Sequence, residues 1–174
     1  MKSLRSRAPA ASSEQTRRVM QANVGRETTP ERKVRSYLHC AGFRFRKDLR
    51  PIAGLRCTAD LVFRRAKVCI LVDGCFWHGC PSHFKTPKAN SPWWHEKIEA
   101  NRARDRRNDA SLAAAGWQVF RLWEHDVKDD MLARLAEQLR RAMRCVLGDD
   151  QRADGSSPTN RQRRTPQRGP YGER

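Results

Sequence analysis

Three groups of side chains in this sequence have the types and spacings that chemistry requires. Cys75-x4-Cys80-x2-His83 sets three metal-type ligands in one short loop, and His125 follows the apolar run WQVFRLW far downstream. Zinc takes four Cys or His ligands in a tetrahedron, and a structural site closes all four positions. A loop clamped in this way would gain folding free energy from the metal. The alternative is two buried thiols and two surface histidines. The second group is acidic: Asp60 opens one apolar strand and Asp73 closes another. A carboxylate at the rim of a buried strand is costly unless it is paired or holds a cation. Two of them on neighbouring strand ends would suit Mg²⁺, with phosphate oxygens completing its shell, whereas pairing with the abundant arginines would leave them structural. The third group is His78, between the two loop cysteines, and Asp105. Trp94, Ile98, Asn101 and Asp105 are spaced 4, 3 and 4 apart and so share one helix face. Asp105 held against His78 would set its tautomer and raise its basicity, as a general base for water requires. A structural histidine and a salt-bridged acid within Arg104-Asp105-Arg106-Arg107 is the competing account. Phe76, Trp77, Trp93 and Trp94 lie in or beside the same Gly/Pro/Lys-rich loop. They are expected to stand partly exposed as wedges between base steps, or else to cover the loop as a small core.

These groups need elements to hold them. Thr28-Thr29-Pro30-Glu31 has the signature of a capped helix start, and Val34, Tyr37, Leu38 and Ala41 form an apolar stripe that stops at Gly42. Phe43–Arg46 alternates as a strand does, and Ala59–Phe63 and Lys67–Val72 are two more short strands joined by the basic turn Arg64-Arg65. A loop occupies Asp73–Pro92, a long polar helix is expected from Trp93 to about Ala115, Trp117–Trp123 reads as a buried strand, and Met131–Val146 as a last amphipathic helix. The expected class is α/β, a small mixed sheet of about four strands flanked by helices.

The chain has 174 residues, the length of one domain. Lys and Arg number 36 against 19 Asp and Glu, a net charge of +17, which predicts a phosphate backbone or an anionic membrane as partner. No apolar run approaches the roughly 18 residues of a spanning helix, so nucleic acid is the expected partner. The first residues are basic without an apolar h-region; they resemble a transit peptide or an arm that touches nucleic acid. The expected organisation is a disordered basic arm over 1–13, the domain over 14–147 and a disordered basic tail over 148–174. Six cysteines without small-scaffold spacing suggest reduced thiols in an intracellular protein. Among them Cys40, Cys57, Cys69 and Cys145 fall in helix or strand patterns, as ordinary thiols do.

In order along the chain, Val72-Asp73-Gly74-Cys75-Phe76-Trp77-His78-Gly79-Cys80-Pro81-x-His83, Trp94-x2-Lys97-Ile98-x2-Asn101-x3-Asp105-Arg106-Arg107 and Gly116-Trp117-x-Val119 leading to Trp123-Glu124-His125 resemble the very short patch repair (Vsr) DNA mismatch endonucleases, across roughly Thr16 to Leu147. The resemblance implies a restriction-endonuclease-like core with a structural zinc, and a Mg²⁺-dependent nick 5′ of the mispaired T in a T:G mismatch left by deaminated 5-methylcytosine. It implies 5′-phosphate and 3′-hydroxyl ends, double-stranded DNA as partner, contacts with mismatch-repair proteins, and a place in the bacterial cytoplasm beside the nucleoid. By position, Asp60 would be the central Mg²⁺ ligand, with Asp73 a further candidate. His78 would be the base with Asp105 its partner, and Glu31 would hold metal-bound water. Cys75, Cys80, His83 and His125 would bind zinc. Met20, Phe76, Trp77, Trp94, Lys97 and Asn101 would face DNA, Met20 as a minor-groove wedge. The family's usual Pro before the metal-binding Asp is Ala59 here, and Gly54–Cys57 lacks its Pro-Gly turn; both leave room for a nuclease of the same fold with another target. A zinc-stapled DNA binder without activity is the alternative from another class. An asymmetric mismatch gives two-fold symmetry no purpose, so a monomer is expected.

Overall fold

The computed structural model describes residues 9–22 and 27–153. Helix α1 (Glu14–Ala22) begins where Ser13 Oγ accepts from the Thr16 N–H, an N-cap in a stretch where no helix is expected from the pattern. Helix α2 (Thr29–Cys40) starts as its signature predicts: the Thr28 hydroxyl accepts from the Glu31 N–H, and Val34 and Leu38 are buried. It ends in a Schellman turn, with Gly42 at φ +91° and the Phe43 N–H bonded to the Leu38 carbonyl.

That turn carries the chain through Phe43, and strand β1 (Arg46–Leu49) begins only at the residue where the alternating pattern was expected to end. Phe43 and Phe45 instead pack edge-on against Phe63. Strands β2 (Ala59–Phe63) and β3 (Val68–Asp73) fall where expected, within a residue. Helix α3 (Ser91–Ala114) follows the cysteine–histidine loop, and strand β4 (Gln118–Trp123) leads through a short 3₁₀ turn (Glu124–Asp126) to α4 (Asp129–Ala153). The sheet order is β1-β2-β3-β4, antiparallel except for the parallel β3–β4 pair. The protein is thus a mixed α/β fold around a four-stranded mixed sheet.

Helices cover both faces of the sheet. Leu61, Phe63, Val68 and Ile70 meet Val34 and Leu38 of α2 and Leu132, Leu135 and Leu139 of α4. Val62, Cys69 and Leu71 meet Leu112 of α3 on the opposite face. Being covered on both sides, β3 reads as a continuous apolar run. β4 is an edge strand, mostly half-buried rather than buried as expected. α4 continues past residue 147 to Ala153, where a disordered tail is expected: each further residue of a formed helix adds a hydrogen bond without repeating the cost of nucleation. The expectations for 1–8 and 154–174, and for the side chains of Met20 and Cys145, lie outside the described residues.

Candidate active site

The loop after β3 closes on the 3₁₀ turn after β4 because these two strands run parallel and side by side, Asp73 opposite Trp123. The backbone N–H of Cys75 donates to Glu124 Oε1 at 2.7 Å, tying loop to turn. Ligand atoms of Cys75, Cys80, His83 and His125 all lie within 4.8 Å of one another. His125 Nδ1 stands 3.0 Å from Cys75 Sγ and 3.8 Å from Cys80 Sγ, and His83 Nδ1 is 3.7 Å from Cys80 Sγ. Tetrahedral bonds of about 2.3 Å to sulfur and 2.0–2.1 Å to nitrogen put S and N ligands roughly 3.5 Å apart, so the donor set fits zinc. Asp126 Oδ1 sits 3.2 Å from His125 Nε2, the carboxylate contact that orients a metal-binding imidazole. Burial, then Cys80, push the Cys75 thiol up to about 11, which favours thiol over thiolate until a cation compensates. Cys57 and Cys69 are buried and Cys40 exposed, apart from this cluster.

Helix α3 lies against the loop so closely that Gly79 cannot carry a side chain. At φ +64°, a Cβ there would come within 2.6 Å of Ile98 Cγ2 and 2.7 Å of Arg102 Nε. The shared face of α3 is as its spacing predicts, with Trp94, Ile98 and Asn101 buried. Asn101 Nδ2 donates to the Trp77 carbonyl at 2.9 Å, so this side chain holds the loop backbone. One turn on, Asp105 Oδ2 meets His78 Nδ1 at 2.7 Å. Burial opposes ionisation of Asp105, but His78 and Arg104 outweigh it and hold its pKa below the usual range.

Asp60 lies in β2, beside the end of β3. Its Oδ2 accepts from the Val72 N–H at 2.7 Å, which anchors the carboxylate to β3. Its carboxylate neighbours, however, are Glu31 and Asp48. The β1–β2 register, Lys47 with Leu61 and Leu49 with Ala59, brings Asp48 across from Asp60, and Asp48 departs from strand geometry with φ +50°. Like charges so placed repel unless something binds them. Glu31 is buried at its capping position, accepting from the Thr28 hydroxyl at 2.9 Å, the Glu27 N–H at 2.8 Å and Arg35 Nη2 at 2.8 Å. Three carboxylates beside one guanidinium leave two negative charges, which matches a divalent cation bound by carboxylate oxygens. Burial first, then Glu31 and Asp48, raise Asp60 to about 6 despite the Val72 hydrogen bond and Arg35.

Asp73 does not join that cluster. Arg121 Nη1 donates to both its oxygens, at 2.7 Å to Oδ1, and the rest of the guanidinium grips Asp109 at 2.9 and 3.0 Å. For Asp73 the structure thus shows arginine pairing in place of the second carboxylate expected at the cation. Asp48, Asp109 and Arg121 were not singled out by sequence reasoning. The only signal for Asp48 was an acid in strand register with Asp60, and register appears only after pairing.

The aromatics pack on one another rather than standing free. Phe76 meets Trp77, Trp94 and Phe84 at ring-centroid distances of 5.2, 5.0 and 5.8 Å, and Trp93 meets Trp94 at 4.8 Å. Trp94 is only 7% exposed, Phe76 is half-buried, and Trp77, at 36%, is the exposed member. Lys97 is exposed on α3, and Met20 lies in α1.

Residues 10–83 match the family model described as DNA mismatch endonuclease Vsr. The chain is 44% identical over 124 residues to the type II nicking enzyme V.NaeI of Lentzea aerocolonigenes, covering 70% of this chain and 75% of that one. It is 42% identical over 130 residues to the type II nicking enzyme V.XorIIP of Xanthomonas oryzae pv. oryzae, covering 74% and 92%. With the DNA mismatch endonuclease Vsr of Escherichia coli it shares 35% identity over 106 residues, 60% of this chain and 66% of that protein.

Proposed function

Because this chain belongs to the Vsr family of DNA mismatch endonucleases, we propose that it nicks duplex DNA 5′ of the mispaired T in T:G mismatches left by deaminated 5-methylcytosine. As a member it is a DNA endonuclease, a hydrolase that requires a divalent metal and acts on DNA. The observation that carries the reading is the three-carboxylate cluster around Asp60, with the 2.7 Å contact of His78 with Asp105 in support.

In this reading the sheet and its helices are a restriction-endonuclease-like core, Mg²⁺ binds at Asp60, and zinc binds at Cys75, Cys80, His83 and His125. Bound Mg²⁺ would supply positive charge to the phosphate oxygens. Asp105 accepts the Nδ1 hydrogen of His78 and leaves Nε2 to take a proton from the attacking water. Glu31 orients water at the cluster. Trp77, backed by Phe76 and Trp94, wedges at the mismatch, and Lys97 contacts the backbone. The +17 charge adds salt-sensitive affinity. The chain acts as a monomer in the bacterial cytoplasm, with mismatch-repair proteins as further partners; among the described residues no helix is long and apolar enough to cross a membrane. The similarity to type II nicking enzymes supports a second reading, the same chemistry at a different target.

The test is nicking, with Mg²⁺, of duplexes that differ only in one T:G or T:A pair, each strand labelled separately and Asp60→Ala run alongside. A cut 5′ of the mispaired T, absent from the T:A duplex and from the variant, is expected. Equal cutting of both duplexes would favour the altered target. Binding without cutting would leave a zinc-stapled DNA binder.

A further inference from the structure

We propose that Arg121 is a positioning residue for the nicking reaction, holding Asp73 off His78 so that the imidazole stays committed to Asp105. This rests on His78 being the base, as in the reading above. His78 Nδ1 has two carboxylates in reach, Asp105 Oδ2 at 2.7 Å and Asp73 Oδ1 at 3.5 Å. It carries one hydrogen and serves one of them. Arg121 Nη1 occupies that same Asp73 Oδ1 at 2.7 Å. Asp73 is only 6% exposed, and among the described residues His78 is the other side chain paired with it within 4 Å. A buried carboxylate deprived of its guanidinium must find another donor, and the nearest is the hydrogen that Asp105 now accepts.

The far side of the same guanidinium fixes the competitor. Arg121 Nε and Nη2 hold Asp109 at 2.9 and 3.0 Å. Asp109 lies one helical turn beyond Asp105, on the same side of α3. One side chain on β4 therefore sets both halves of the choice at His78: it detains Asp73 on β3 and fixes the rotation of α3 that presents Asp105. A lysine there has the charge but not the planar fork that serves two carboxylates.

The experiment compares Arg121→Met, Arg121→Lys, Asp73→Asn and the double variant Arg121→Met/Asp73→Asn in two assays. Single-turnover nicking and duplex binding separate rate from affinity. The Nδ1–H proton resonance of His78, assigned with His78→Gln, reports the Asp105 hydrogen bond without any substrate. Arg121→Met is expected to lower the nicking rate by about 100-fold, the low end of what general-base catalysis supplies, with affinity within about twofold. Arg121→Lys should fall between, and it replaces the methionine variant should that one not fold. Adding Asp73→Asn to Arg121→Met removes the competing charge, so it should recover most of the lost rate and restore the resonance. The proposal is overturned if Arg121→Met leaves rate and resonance unchanged, if its defect lies wholly in affinity, or if Asp73→Asn rescues neither readout. A wild-type protein that nicks no duplex while the resonance responds as stated would defeat the proposed function, and with it the role in nicking, and leave only the choice of His78 hydrogen-bond partner standing.

Discussion

Replacing Asp60 with asparagine separates what the acidic cluster costs the fold from what it does for the reaction. Burial and the neighbouring Glu31 and Asp48 raise Asp60 from its ordinary 3.8 to about 6. At about 1.4 kcal/mol for each tenfold change, the ionised carboxylate therefore costs the folded protein about 3 kcal/mol at neutral pH. A folded pKa above the unfolded one means that the folded state binds more protons between about pH 4 and pH 6. Stability is then lost as pH rises through that window, and the full cost is present above it. Asparagine keeps an acceptor for the Val72 N–H and carries no charge. For a chain of this size, 1 kcal/mol moves the melting temperature by about 2–4 °C. In Mg²⁺-free buffer at pH 7.5, with zinc retained, Asp60→Asn should melt roughly 6–12 °C above the wild type, and the gap should fall to about half by pH 5. Added Mg²⁺ should raise the melting temperature of the wild type and leave the variant unmoved, and the variant should not nick. Thermal melts at both pH values, with and without Mg²⁺, read all of this. A variant that melts below the wild type at pH 7.5, or by the same margin at both pH values, would refute the argument that the cluster is short of positive charge.

Cys80→Ser should lose bound zinc, measured by elemental analysis, and with it the folding free energy the metal gives the loop, so that it melts lower; a zinc-free protein with unchanged melting would show the staple to be dispensable. Gly79→Ala meets both a left-handed backbone and Ile98 Cγ2 at 2.6 Å, so it should destabilise by about 2–4 kcal/mol in denaturant titration. Asn101→Ala removes the 2.9 Å hydrogen bond to the Trp77 carbonyl. It should cost about 1–2 kcal/mol and slow nicking on T:G duplexes, while a variant with wild-type rate would show that the loop needs no such brace.

Interactions that are local along the chain were readable before any folding. Thr28 and Glu31 lie within one turn, so their capping arrangement follows from residue type and spacing. The buried face of Trp94, Ile98 and Asn101 follows from helical periodicity, and β2 and β3 from their runs of apolar side chains. The cysteine–histidine spacing named the metal-type ligands of the loop, and the fold brings His125 to them by laying β4 parallel to β3.

Partners separated along the chain were decided by the tertiary structure. Asp73 and Asp60 look equivalent as acids at strand ends, yet Arg121, forty-eight residues beyond Asp73, takes one, and strand pairing delivers Asp48 to the other. The aromatics likewise stayed open between exposed wedges and a small core, because nothing local shows that Phe76, Trp77, Trp93 and Trp94 meet edge to face. Periodicity and capping depend on neighbours a few bonds away, which the chain carries with it. The partner of a buried charge depends on strand register and on which helix covers which face, and these exist only once the sheet has closed.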